Sequence, residues 1–222
     1  KDENSPAVLL IKKWTFEKYN KVIQEPDNQR IKREEALTIV LENLDDRHII
    51  VATTGKTSRE IFEIREKMGQ SHHQDFLTVG SMGHCSSIAL GIALAKPHRE
   101  VVCIDGDGAM LMHLGSLATI ASLKPKNFRH ILMNNEVHES VGGQETAAKN
   151  IDLTAIVEAV GITEIYKAET ASDLKIQFPD FKKCTGPSFL EVKIRPGSRE
   201  DLGRPTIEPA DNKKDFMKFL EK

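Results

Sequence analysis

Apolar residues in this chain gather in short runs, and between the runs they recur at helical spacing. Residues 8–12, 49–52, 76–79, 101–104, 131–133 and 188–194 read as strands, with a briefer one at Ile165. Between them, Ala36, Leu37, Val40, Leu41 and Leu44 share one face of a helix expected over 32–44. Further helices are expected at 59–67, 85–95, 153–160, 171–181 and 211–220, and an apolar, helix-compatible segment joins the strands at 101–104 and 131–133. This alternation predicts an α/β fold: a doubly wound, mostly parallel sheet with helices on both faces. Two parallel strands joined by a helix bring Asp107 and Asn135 to neighbouring strand ends, which is where open parallel sheets bind ligands.

Breakers between the runs suggest three parts. Residues 1–29 read as the end of a preceding domain and a linker, closed by Glu25-Pro26-Asp27; 30–195 form the main domain; 196–222 are a charged tail carrying Pro196, Pro205 and Pro209. A first residue of Lys1 rather than Met reads as a fragment or a processed chain. The turn 53–58 leads from a strand into the helix at 59–67, with Thr57 or Ser58 as its N-cap.

The candidate chemistry lies where strands end. Glycines on both sides of Asp107 permit close approach of a ligand, and the start of the following helix offers backbone N–H groups. A diphosphate fits there, with Asp107 holding a divalent cation against it. Taken alone, Asp-Gly is also an ordinary turn. Asn134-Asn135 arrives about two dozen residues later, at the end of an apolar strand. A hard cation such as magnesium takes oxygen donors in near-octahedral array, so the Asp107 carboxylate, the Asn135 amide oxygen and the Val137 carbonyl leave room for phosphate oxygens and water. Gly55-Lys56-Thr57 mimics the end of a P-loop, but that motif needs a glycine where Ile50 stands.

Composition narrows the ligand class. Thirty-one Lys and Arg against 33 Asp and Glu leave a net charge of -2, which supports neither a nucleic-acid partner nor a membrane-surface role. An anionic ligand must then be held by local groups. Cys85, Cys103 and Cys184 are spaced as neither a disulfide framework nor a zinc or iron–sulfur site, which reads as reduced thiols in a cytoplasmic protein. The longest apolar run, 88–95, includes Gly91 and falls well short of the roughly 18 residues of a membrane span.

Gly-Asp-Gly followed at this spacing by Asn-Asn resembles the magnesium–diphosphate motif of thiamine-diphosphate-dependent decarboxylases. Gly80-Ser81-Met82-Gly83-His84, Gly-Asp-Gly-Ala at 106–109, and the run 134–144 (NNEVHESVGGQ) are similar, within that family, to the members that act on 3-phosphonate or 3-sulfonate analogues of pyruvate. The resemblance covers roughly 30–195, and 8–19 resembles the tail of the pyrimidine-binding domain that precedes it in single-chain members. It implies thiamine diphosphate and Mg2+ as cofactors and decarboxylation of an anionic 2-oxoacid to an aldehyde. By the same resemblance, the Gly80 carbonyl accepts from the cofactor's 4'-amino group, Met82 wedges the cofactor into its bent shape, and Thr54, Gly55 and Thr57, with Gly106, Asp107, Gly108, Ala109 and Asn135, touch its diphosphate end.

His84, His138 and Ser140 are the candidate catalytic groups, placed beside cofactor-binding elements as proton donors or anion contacts. Lys56 and Arg59 flank a strand-to-helix turn at the binding edge, where a phosphonate favours a guanidinium fork. The alternative for both cations is an exposed helix start, and for the histidines a structural role. The family's activating glutamate belongs to the pyrimidine domain and is absent from this stretch, so the partner expected is a pyrimidine-binding domain of the same or another chain, in a homo-oligomer. A non-catalytic cofactor-binding module is the rival reading. A ferredoxin-linked oxidoreductase subunit is disfavoured, because the scattered cysteines hold no iron–sulfur cluster.

Overall fold

The computed structural model describes residues 6–12, 15–16 and 29–221. The elements run β1 (Ile31–Lys32), α1 (Arg33–Glu42), β2 (Ile49–Ala52), α2 (Lys56–Lys67), β3 (Asp75–Leu77), α3 (Cys85–Ala95), β4 (Val101–Gly106), α4 (Asp107–Met112), α5 (Ser116–Leu123) and β5 (Phe128–Asn134). A small hairpin, β6 (Val137–His138) and β7 (Gln144–Glu145), precedes α6 (Leu153–Ala159), β8 (Glu164–Ala168), α7 (Ala171–Lys183), β9 (Ser188–Arg195) and α8 (Pro209–Glu221).

The expected doubly wound sheet is present. Its order is β3-β2-β4-β5-β9, with β8 and β1 lying along successive lengths of the outer edge of β9, and every pairing in it is parallel. Central strands such as β2 and β5 are buried along their whole length, the signature of strands covered on both faces. One face carries α1, α2 and α7 through Leu37, Ile61 and Phe178; the other carries α3, α5, α6 and α8 through Ala89, Leu117, Val157 and Phe216. The chain steps outward from β2 to β3 and then returns to β4 on the opposite side of β2. That reversal opens a crevice at the carboxyl ends of β2 and β4.

Several boundaries differ from expectation. α2 starts at Lys56 instead of Arg59 because Gly55, at φ +99°, turns the chain into the helix at once; neither Thr57 nor Ser58 caps it, and the Ser58 hydroxyl donates instead to the Thr53 carbonyl at 2.6 Å. β5 begins at Phe128 because Arg129 and His130, polar by type, are buried within the strand. Arg129 is held there by an ion pair to Glu100 at 3.1 Å and a hydrogen bond to the Cys184 carbonyl at 2.7 Å. β3 stops at Leu77, and Val79 is exposed.

Residues 8–12, read as a strand, pair with no strand among the described residues, and Val8, Leu9 and Leu10 lie 86–90% exposed. Most of the segment 14–27 lies outside the described residues. At the other end, α8 is part of the core: Phe216 packs on Phe76 at 5.3 Å. The Asn212 side chain donates to the Asp75 carbonyl (2.9 Å) and accepts from Leu77 N–H (3.3 Å). One amide thereby occupies the open edge of β3, as sheet edges require. The sulfurs of Cys85 and Cys103, eighteen positions apart in the chain, lie 3.5 Å from each other, both reduced. No helix among the described residues is long and apolar enough to cross a membrane.

Candidate cofactor and metal site

Four loops converge on the crevice. Thr53 N–H donates to the Ile104 carbonyl (2.8 Å), extending the β2–β4 pairing past the strand and setting Thr53-Thr54-Gly55 beside Gly106-Asp107. Gly80 N–H donates to the Thr54 hydroxyl at 3.2 Å, which ties the 80–84 loop to this edge. That loop is left-handed at Gly80 (φ +73°), Ser81 (+48°) and Gly83 (+90°). A side chain at Gly83 would meet the Ala109 carbonyl at 3.0 Å, so the loop rests directly on α4. Opposite Gly55, a Cβ would stand 3.3 Å from the Ser140 hydroxyl; at Gly108 it would stand 2.9 Å from His138 Cε1 and 3.4 Å from the Met82 methyl. Ser140 therefore packs close on Gly55, and His138 and Met82 close on Gly108, at the same edge of the sheet.

Asp107 opens α4 and is buried. At six residues α4 is short, so the ligand contact it offers is its own backbone N–H groups and not a long helix dipole. The Thr146 hydroxyl donates to Asp107 Oδ2, and backbone N–H groups of Gly108 and Asn135 face the same carboxylate. Burial nonetheless holds its pKa above the usual carboxylate range, because no Lys, Arg or His pairs with it among the described residues. A buried carboxylate without a cationic partner is the donor a metal ion needs. Asn135 supplies its amide oxygen, now accepting from Val137 N–H at 3.2 Å, and Val137 lies at the start of β6. By donor type, a carboxylate, an amide oxygen and a main-chain carbonyl suit a hard cation.

The two asparagines divide the work. Asn134 is fully buried; its amide donates to Glu191 (2.7 Å) and accepts from Glu136 N–H (3.2 Å), fixing the strand end. Glu136 sits at φ +61°, outside the range most side chains accept, and ion pairs to Arg30 (3.1 Å) and Lys193 (2.9 Å) hold it there. Glu139 is the junction. It accepts from the Asn135 amide at 3.1 Å, from Arg33 at 2.5 Å, from Lys56 at 3.4 Å and from Gly197 N–H at 2.8 Å. Burial alone would raise the Glu139 pKa, but Arg33 and Lys56 outweigh it and the net shift is downward. Arg33 also grips Glu60 through two hydrogen bonds of 2.7 and 3.0 Å. Glu139 thereby orients the Asn135 amide, as outer partners orient metal ligands.

Sequence reasoning missed Arg33, Glu60 and Thr146. Arg33 and Glu139 are 106 positions apart, and no local pattern encodes such a pair. Lys56 is engaged by Glu139, whereas Arg59, half-buried on the next turn of α2, carries no ion pair among the described residues. His84 is exposed and packs at a tilt against His113, 4.2 Å between ring centres, past the carboxyl end of α4. A separate cleft of about 570 Å³, lined by Asp45, Arg47, His48, Arg99 and Phe219, opens at the amino edge of the sheet, the edge that open parallel sheets do not use.

Residues 53–192 match the family model described as thiamine pyrophosphate enzyme, C-terminal TPP binding domain. The chain is similar to a phosphonopyruvate decarboxylase of Streptomyces hygroscopicus, 38% identical over 194 residues, covering 87% of this chain and 47% of that protein. It is also similar to the sulfopyruvate decarboxylase subunit beta of Methanothermobacter thermautotrophicus, 36% identical over 172 residues, covering 78% and 85% respectively. The chain spans about half the length of the phosphonopyruvate decarboxylases it matches. Among solved structures, a Mycobacterium smegmatis protein described as thiamin diphosphate-dependent superposes with a TM-score of 0.63 at 19% identity, over 78% of this chain and 33% of that one, a likeness of fold.

Proposed function

The chain belongs to the thiamine pyrophosphate enzyme family, as its C-terminal cofactor-binding domain, and from that premise we propose that it supplies the diphosphate and magnesium half of an enzyme that decarboxylates 3-phosphonopyruvate to phosphonoacetaldehyde and carbon dioxide. The observation that carries this reading is Asp107, buried without a cation beside Asn135 and Val137 at the switch point of the sheet.

Asp107, Asn135 and the Val137 carbonyl hold Mg2+, and Glu139 keeps the Asn135 amide turned for it. Thiamine diphosphate, when bound, supplies the carbanion-stabilising chemistry. The chain's own task is placement. Gly55 and Gly108 let Ser140 and His138 approach the backbone closely, Thr54 anchors the Gly80 loop, and Met82 presents an apolar side chain over Gly108. Thr57, Gly106 and Ala109 complete the diphosphate wall. His138 and Ser140 face the crevice from the 134–144 loop and serve as proton donor and hydrogen-bond donor; His84 is a further candidate. The pyrimidine-binding half, with its activating glutamate, comes from the same or another chain, within a homo-oligomer. Sulfopyruvate is the second reading of the substrate, favoured by a match covering 85% of a sulfopyruvate decarboxylase beta subunit.

Arg59 is the group proposed to meet the substrate's phosphonate, with Lys56 beside it. A hydrogen bond to a charged group contributes about 1.5–3 kcal/mol, so Arg59→Ala in the complete enzyme is expected to raise KM for phosphonopyruvate roughly 10- to 100-fold while leaving KM for pyruvate little changed. Steady-state kinetics on both substrates checks this. An equal rise for pyruvate removes Arg59 from the phosphonate contact.

A further inference from the structure

Behind the cofactor crevice, on the sheet face that carries α3 and α5, a second polar group lies in the core and takes no part in the function proposed above. Cys103 and Asp105 are two residues apart on β4 and so project from the same face. His130 on β5 is the register partner of Cys103. All three are at most 1% exposed, and one donor atom from each lies within 4.8 Å of the others. Cys85, in the first turn of α3, brings its sulfur to 3.5 Å from that of Cys103.

These donors are poorly served by the protein. His130 Nδ1, His130 Nε2 and Asp105 Oδ2 have no hydrogen-bond partner, and the nearest approach between them, His130 Nε2 to Asp105 Oδ2, is 3.6 Å. The His130 ring is enclosed edge-on by Phe128 and Phe189, at 6.0 and 5.2 Å between ring centres. Leaving a polar group unpaired in such surroundings is costly, because its lost hydration is not replaced. A cation at the centre would satisfy Asp105 Oδ2 and one of the two His130 nitrogens at once.

The spacing fits one. Zinc bound tetrahedrally at about 2.0–2.3 Å sets its donors roughly 3.3–3.8 Å apart. The observed 3.5 Å between sulfurs and 3.6 Å between His130 and Asp105 fall in that range. Two sulfurs, an imidazole and a carboxylate select a borderline transition metal over magnesium or calcium.

We propose that Cys103, Asp105 and His130, completed by Cys85, form a closed structural site for a divalent transition metal, zinc before others, inside the sheet that carries the cofactor clamp. Four protein donors leave no open position, so the metal takes no substrate. Binding deprotonates the two thiols, whose protons pass to solvent, and Cys85 exchanges its present hydrogen bond to the Val51 carbonyl for the metal. Burial implies loading during folding, not by soaking. Asp105 adjoins Gly106-Asp107, so the metal would brace the strand from which the clamp hangs.

The test is the metal content of the full-length protein produced in zinc-replete cells and dialysed against a weak chelator. Elemental analysis is expected to find about one zinc per chain, falling at least tenfold in both Cys103→Ser and His130→Gln. Cells grown on cobalt should yield protein with thiolate-to-cobalt charge-transfer absorption in the near ultraviolet. Folded wild-type protein holding less than roughly a tenth of a zinc per chain, and lacking that absorption after growth on cobalt, overturns the proposal whether or not the variants fold. So does zinc that persists in both variants.

Discussion

Asp107→Ala in the complete enzyme is expected to abolish magnesium-dependent binding of thiamine diphosphate. Loss of an outer partner of a metal ligand typically lowers affinity about 10- to 100-fold, so removing the one carboxylate donor should weaken it by at least roughly 100-fold. Calorimetric titration of cofactor with and without Mg2+ measures the effect directly. The fold should survive the change. Burial already raises the Asp107 pKa, so the ionised side chain is a burden on the cofactor-free protein, and replacing it removes that burden while releasing the Thr146 hydroxyl and the backbone N–H groups of Gly108 and Asn135. Unchanged cofactor affinity in a variant of unchanged melting temperature would take Asp107 out of the metal site.

The second large effect is on stability. Arg65 and Asp75 form a two-pronged ion pair of 2.9 and 3.0 Å between α2 and β3, and the pair is only 2% and 0% exposed. Arg65 also donates to Gln70 at 2.5 Å. Arg65→Ala leaves the Asp75 carboxylate buried and alone, a change that costs about 3–5 kcal/mol, whereas replacing both partners together by apolar residues should cost far less. Denaturant unfolding of the single and double variants separates the two.

The pH dependence follows from the carboxylate. Burial raises the Asp75 pKa even with Arg65 opposing it, and without Arg65 the rise is larger. A carboxyl group whose folded pKa lies above its unfolded value destabilises fully above the folded pKa, and the penalty fades as pH falls toward the unfolded pKa. The variant's deficit should therefore shrink on acidification. A deficit that grows would assign it to lost packing of the arginine stem.

Much of the sheet edge that carries the proposed clamp was legible because its parts are local. Apolar runs bounded by glycine and aspartate marked β4, and α3 was read at its observed ends because every residue from Cys85 to Ala95 is either small or apolar. The approach of Ser140 to Gly55, and of His138 and Met82 to Gly108, follows from strand order and loop motif together. What sequence concealed depends on distant partners. Arg129 and His130 fell outside the expected strand because their burial depends on Glu100, Cys184 and β9, none of them nearby in the chain. The hairpin of β6 and β7 hid in a polar stretch without alternation. Cys85 and Cys103 seemed scattered because only the packing of α3 on β4 brings them together. α8, read as a charged tail, reveals its place only through Phe216, Phe219 and the Asn212 amide on β3.

The central claim is that this domain serves the decarboxylation of a phosphonate analogue of pyruvate. Its most direct test is aldehyde release by the complete enzyme, given phosphonopyruvate, sulfopyruvate and pyruvate side by side, with and without thiamine diphosphate and Mg2+. Aldehyde should form only with both cofactors, and kcat/KM for phosphonopyruvate should exceed the other two by roughly tenfold or more. Cofactor-dependent release that favours sulfopyruvate or pyruvate, or no release from any of the three, would contradict it.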